Sequence, residues 1–367
     1  MKILYVTTIS NTINAFLIPH INYFYKNGHE IDICCNYHDN QPLKLDDREF
    51  KHINIMFNRN PLKNNVLKLI KDMKKVVHDG NYDIVHVHTP IASFITRIAC
   101  KNFKSVRVVY TAHGFHFHRG STILSWLIYY PIEKYLSKYT DQIITINSED
   151  YNICKNKFGS NKCTLIHGVG IDIKKIENTK HVDNFREQIG VSSNSIIILS
   201  VGELNKNKNH YVVLKALNKL RHFDFHYYIC GAGKLKTKYQ KYIENNYLQN
   251  KVSLLGYRDD IYNFLQVADI FVFPSIREGL PVSIMEAMYF NLPIVCSSCR
   301  GNIDLLSKDN AVFISKNDYR EYSTKISDLL NDKSKRNVIG SNNRRNLAEY
   351  TIESVLFKLN NVYKNMG

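Results

Sequence analysis

The chain has 367 residues, more than the about 250–300 at which one hydrophobic core stops growing, so two domains are expected. With 44% hydrophobic and 12% aromatic residues the composition is globular and excludes intrinsic disorder, and no apolar run approaches the roughly 20 residues that cross a bilayer. A net charge of +16 predicts attraction to an anionic surface, be it nucleic acid, acidic lipid or a phosphorylated substrate, without choosing among them.

The N-terminus, MKILYVTTIS, reads as a strand with no signal-peptide pattern, which leads to the expectation of a cytoplasmic protein. Lys2–Thr7 is a buried strand, Ala15–Lys26 a helix stopped at Gly28, and His29–Cys35 a second strand; together they make a βαβ unit. Between them Thr8–Asn14 reads as a loop without G-x-G-x-x-G, which argues against a dinucleotide cofactor. Val66, Leu69, Ile70, Met73, Val76 and Val77 share one helix face with lysines elsewhere, so this helix either packs on a sheet or also touches acidic lipid.

Strands at 82–88 and 107–111 flank a helix at 93–100. The histidines of TAHGFHFHRG, His113, His116 and His118, lack a carboxylate or cysteine partner, and no metal site is expected. The segment 121–135, with the sole tryptophan Trp126, is too short to span a membrane; burial and an interfacial position are both open. Strands at 141–147 and 163–166 close the first domain. The eight cysteines are scattered, which argues against a disulfide framework, and Cys296–Cys299 lacks the second pair that a zinc site needs.

After a polar linker at 173–194, with a short helix at 182–189, the alternation restarts. Ser195–Val201 leads into GELNKNKNH, where Lys208 precedes a helix at 212–220 and would face a bound anion. GAGKL, with Gly233, and GYRDDI are further strand-to-loop turns. Ile270–Phe273 is a strand, and PSIREGLPVSIMEAMYFNLPI then places Glu278 in a loop and Glu286 inside a helix that Pro281 opens. A helix N-terminus suits phosphate, whereas flanking carboxylates suit hydroxyls, so the pattern points to a sugar nucleotide.

This stretch resembles the Glu-x7-Glu motif of the family-4 retaining glycosyltransferases of the GT-B fold, in particular the bacterial capsule and exopolysaccharide enzymes. T-x-H-G-F, G-x-L with Lys208, and G-Y-R-D-D occur in that family's order. The resemblance implies an α/β fold of two Rossmann-like, doubly wound domains facing a cleft. Residues 1–172 would form the acceptor domain, 190–350 the nucleotide-sugar domain, and 351–367 a helix crossing back to the first.

It further implies catalytic roles for Glu278, His113 and Lys208, and donor binding by Glu286, Gly279, Leu280, Val282, Ser283, Gly202, Gly233, Tyr257 and Arg258. Thr8, Ser10 and Asn11 would lie on the acceptor side. RGNID at 300–304 resembles a glycine turn facing the donor. Glu203 stands where the family usually has arginine, with Lys206 as a substitute cation. No Asp-x-Asp occurs, so no metal and no cofactor are expected.

The activity implied is transfer from a UDP-sugar, without metal, to a polyprenyl-diphosphate-linked or other glycan acceptor at the acidic inner membrane surface. A nucleotide-sugar epimerase or hydrolase of similar fold is the nearest rival. A nucleic-acid-binding protein is another, opposed by the dispersed lysines and the lack of an RNA-binding aromatic signature.

Overall fold

The structure is a computed structural model that describes residues 1–37, 42–46, 49–180 and 182–366. Contacts divide the chain into two units, Met1–Val169 with Val355–Gly367, and Gly170–Ser354. The polar segment at 173–194 thus groups with the second unit, carrying short helices Ile173–Glu177 and Phe185–Gln188.

The first unit is built on strands β1 (Lys2–Ile9), β2 (Glu30–Asn36), β3 (Lys51–Asn54), β4 (Ile84–His88), β5 (Arg107–Ala112), β6 (Gln142–Thr145) and β7 (Cys163–Leu165). They pair in the order β3-β2-β1-β4-β5-β6-β7, each pair parallel. Strands covered on both faces read as continuous apolar runs, and β4, IVHVH, is buried at every residue. The second unit repeats the plan with β8 (Ile196–Val201), β9 (Phe225–Cys230), β10 (Val252–Gly256), β11 (Ile270–Phe273), β12 (Ile294–Ser297) and β13 (Ala311–Ile314), ordered β10-β9-β8-β11-β12-β13. In each sheet the order reverses beside the first strand, so β1 lies next to β4 and β8 next to β11. Ligands of doubly wound sheets bind beyond the carboxyl ends of such a pair.

Three expectations are corrected. Thr8–Asn14 is not a loop: β1 runs to Ile9, a helix starts at Ser10, and a wider π turn covers Ile13–Leu17. Ile9, Ile13 and Leu17, four residues apart, are all buried, and this stripe outweighs the polar residues between them. Pro281 caps its helix from just outside the first turn, at φ −79° and ψ 120°. Cys154 and Cys163 form a disulfide, because the helix Ser148–Lys157 brings its Cys154 within a Cα–Cα distance of 6.1 Å of β7. Cys296 and Cys299 are free and buried.

The helix Val66–Gly80 packs Leu69, Met73 and Val77 into the first core and exposes its lysines, and Asn65 caps it by accepting from the Lys68 N–H at 3.2 Å. The final helix, Ile352–Lys364, joins the first unit from Val355 onward. Its Tyr363 is fully buried, with its hydroxyl 2.6 Å from His86 Nδ1 and 3.1 Å from the Tyr5 hydroxyl. A buried polar atom left without its partner costs about 1–3 kcal/mol. Tyr363→Phe is therefore expected to lower the unfolding free energy by about that amount in urea titrations; an unchanged midpoint would mean that the His86 contact carries no stability.

Candidate active site

In the second unit the two loops that follow β8 and β11 are stitched together by backbone contacts. The Ile276 N–H donates to the Asn207 carbonyl at 2.8 Å, and Asn207 Nδ2 donates to the Arg277 carbonyl at 2.9 Å. Asn209, at φ 53°, turns the chain into the helix His210–Lys219 and donates from Nδ2 to the Lys316 carbonyl at 2.9 Å. So held, Lys208 Nζ lies 2.6 Å from Glu278 Oε1 and 4.8 Å from the centre of the Phe273 ring. The lysine stem lies across Gly202, where an added Cβ would sit 3.2 Å from its Cδ. Gly202, Lys208 and Glu278 thus form one group.

Gly279 and Leu280 lead to the helix Val282–Tyr289, in which Val282 and Ser283 are the first two residues. Against this loop packs the helix Arg300–Leu305: a Cβ on Gly301 would fall 2.5 Å from the Gly279 carbonyl oxygen. The close approach admits only glycine, and it sets Arg300 Nε 3.3 Å from the Glu278 carbonyl. Arg300 is a second cation beside Glu278 that the sequence reading did not single out; only the glycine turn pointed toward it. Glu203 and Lys206 are both exposed.

Glu286 lies farther along the helix, where Tyr262 donates to it at 3.3 Å. Burial pushes its carboxyl up to about 7, only partly opposed by the tyrosine hydrogen bond and by Lys175. Gly233 packs on the Leu204 backbone, joining the loops after β8 and β9. Tyr257 is exposed on the loop after β10, and Arg258 donates from Nε to Asp260 Oδ1 at 2.7 Å.

In the first unit, the corresponding strand pair is closed by threonines. Thr8 donates its N–H to Thr89 Oγ1 at 2.9 Å, and the two hydroxyls are 2.7 Å apart. Thr89 holds φ at 64°, a strained value for a β-branched residue. Thr8 and Ser10 are buried and Asn11 is partly exposed, so of these three Asn11 is the most open to a ligand.

His113 follows β5 with its Nε2 3.1 Å from His88 Nδ1. Burial, and then the nearby His20, push its pKa down to about 4, and burial likewise holds His86 and His88 well below the ordinary imidazole value, so the cluster is uncharged near neutral pH. His116 instead stacks on Tyr129, and His118 Nδ1 lies 2.9 Å from the Arg119 carbonyl, so the three histidines of this loop serve separate contacts.

The raised Glu286 carboxyl has a stability consequence. An acid that holds its proton to about pH 7 when folded, but releases it near 4.5 when unfolded, makes the fold less stable as the pH climbs through that window. Glu286→Gln is expected to be near neutral at pH 5 and to stabilise the ligand-free protein by about 1–3 kcal/mol at pH 8. Thermal melts at the two pH values check this, and equal effects at both would refute the raised pKa.

Residues 181–346 match the family model of glycosyl transferases group 1, and residues 2–147 that of glycosyl transferase 4-like proteins. EpsD of Bacillus subtilis, assigned as a glycosyltransferase, is 30% identical over 99% of this chain and 96% of its own. The UDP-Gal:alpha-D-GlcNAc-diphosphoundecaprenol alpha-1,3-galactosyltransferase of Escherichia coli is 30% identical over 82% of this chain and 81% of its own. Among solved structures, sucrose-phosphate synthase of Thermosynechococcus elongatus superposes with a TM-score of 0.85 at 14% identity, over 100% of this chain and 99% of that one, a likeness of fold. The chain therefore belongs to the family-4, group 1 glycosyltransferases of the GT-B fold.

Proposed function

We propose that this glycosyltransferase moves a hexose or N-acetylhexosamine from a UDP-sugar to a lipid-linked glycan, with retention at the anomeric carbon and without a metal ion. The observation that carries the reading is the Lys208–Glu278 pair at 2.6 Å, set where the strand order reverses and just before a helix start. The E. coli relative, whose name specifies UDP-Gal and a diphosphoundecaprenol acceptor, supports the donor and acceptor classes.

The donor diphosphate would lie against Lys208 and the N–H groups of Gly279, Leu280, Val282 and Ser283; Pro281 has none to give. Arg300 would add positive potential. As phosphate draws the lysine away, Glu278 is left to accept hydrogen bonds from sugar hydroxyls, and Glu286 from the ribose. Gly202 and Gly233 would allow close approach, and Tyr257 and Arg258 would flank the base.

In the transfer, the bond from the anomeric carbon to the diphosphate oxygen breaks and the acceptor oxygen bonds to the same face. The acceptor proton passes to the leaving diphosphate. His113 would assist as a neutral hydrogen-bonding imidazole, and Lys208 would hold the charge that develops on UDP, the electrostatic term that dominates such catalysis. The acceptor would engage the first unit near Thr8 and Asn11, with Ser10 as support beneath them. The basic chain would work at the acidic inner face of the membrane, with no role for nucleic acid.

Turnover of UDP-sugars with a lipid-diphosphate acceptor in the presence of a chelator tests this. Glu278→Gln and Lys208→Met are each expected to reduce kcat by about 10²–10³ while the circular dichroism spectrum stays unchanged. Wild-type turnover in either variant would overturn the assignment, and UDP release that ignores the acceptor would favour a hydrolase.

A further inference from the structure

The first unit holds a groove of about 580 Å³, within the range of small-molecule sites. Its lining includes Thr8, Thr89 and Gly114, at the carboxyl ends of β1, β4 and β5, and also Phe94, Ile128 and Ile132. One cavity therefore connects the strand ends, where ligands of this fold bind, with the helix Ile123–Leu136.

That helix has two faces. Inward, Trp126 and Tyr130 pack on Phe117, with ring centroids 5.3 and 5.6 Å away. Outward, Ile123, Leu124 and Leu127 are 79%, 63% and 68% exposed, and the groove residues Ile128 and Ile132 share in that exposure. An apolar path thus runs from the groove onto the surface.

The charges in the groove select its occupant. Glu133 lines it, but the fully buried Arg97 lies 2.8 Å from its carboxylate and cancels the negative charge. Arg59, also in the lining, is exposed and has no carboxylate partner among the described residues. The wall therefore offers apolar surface with one uncompensated cation, which complements an amphiphile with a hydrocarbon chain and an anionic head. A flat bilayer or a second copy of the chain would have no need of a concave channel that reaches the strand ends.

We infer that the groove holds the isoprenoid segment adjoining the diphosphate of the acceptor lipid, with Arg59 on the diphosphate and Phe94, Ile128 and Ile132 against the chain. The inference rests on the lipid-linked-acceptor reading above, and supplies it with a site. The rest of the chain leaves over Ile123, Leu124 and Leu127 toward the bilayer, which keeps the glycan end of the acceptor near Thr8 and Thr89.

Calorimetry on the full chain with farnesyl diphosphate, inorganic diphosphate and UDP tests the site without requiring turnover. Farnesyl diphosphate is expected to bind at least about tenfold more tightly than inorganic diphosphate. Ile128→Asp/Ile132→Asp, at positions open to solvent, and the groove-filling Ile132→Trp should each remove most of that preference while UDP binding persists as the control for folding. Equal affinity for the two diphosphates, or variants that bind farnesyl diphosphate like the wild type, would overturn the inference. So would variants that lose only vesicle binding or only self-association. Absent UDP binding in the wild type would instead strike at the glycosyltransferase donor reading.

Discussion

Two parallel strands that are neighbours in a sheet but distant in sequence deliver their following loops to the same place, and this constraint organises the molecule. In the second unit it joins Lys208 to Glu278; in the first it joins Thr8 to Thr89. The contrast is chemical. With side-chain exposures of 21% and 13%, the lysine and glutamate are partly withdrawn from water, so their attraction exceeds that of a surface pair. In the proposed donor site, a diphosphate would compete with this one carboxylate for the lysine, which the ion pair already holds in place. The threonine pair has no charge to redirect and stays closed.

Desolvation tunes the titrating groups of the two units in opposite directions. It lowers His113 to about 4, so that imidazole is neutral throughout the physiological range, and it raises Glu286 to about 7, where a small change in surroundings shifts its charge. In the donor-binding role proposed for Glu286, hydroxyls of the sugar nucleotide would favour the ionised carboxylate and so couple binding to proton release.

The α/β alternation was legible because both sheets are made of apolar runs punctuated by glycine and polar turns. Two four-residue edge strands escaped: KHIN of β3 has little apolar pattern, and AVFI of β13, though apolar throughout, is too short a run to mark a strand by periodicity. The helix at Ser10 was hidden because its buried isoleucines are diluted by Thr, Ser and Asn. Glu278, Glu286 and Lys208 are singled out by the resemblance of the motifs that carry them, and Lys208 and Glu278 lie 2.6 Å apart. Arg300 is not, since its place depends on Gly301 meeting the Gly279 carbonyl, a contact between segments 22 residues apart. The Cys154–Cys163 bond was missed for the same reason: sequence scatter conceals spatial proximity. The sequence leaves the segment 121–135 open between burial and an interfacial position; its Trp126 packs on Phe117 while Ile123, Leu124 and Leu127 are open to solvent.

The position of Tyr363 has a consequence for how the protein is made. The first unit is translated first, yet the side chain that satisfies His86 and covers Tyr5 comes from the last helix, after all of Gly170–Ser354 has emerged. At about 5–20 residues per second, the ribosome leaves that core open for roughly 10–40 s. Until the helix that carries Tyr363 emerges, the nascent first unit displays an unfilled apolar and histidine-lined surface.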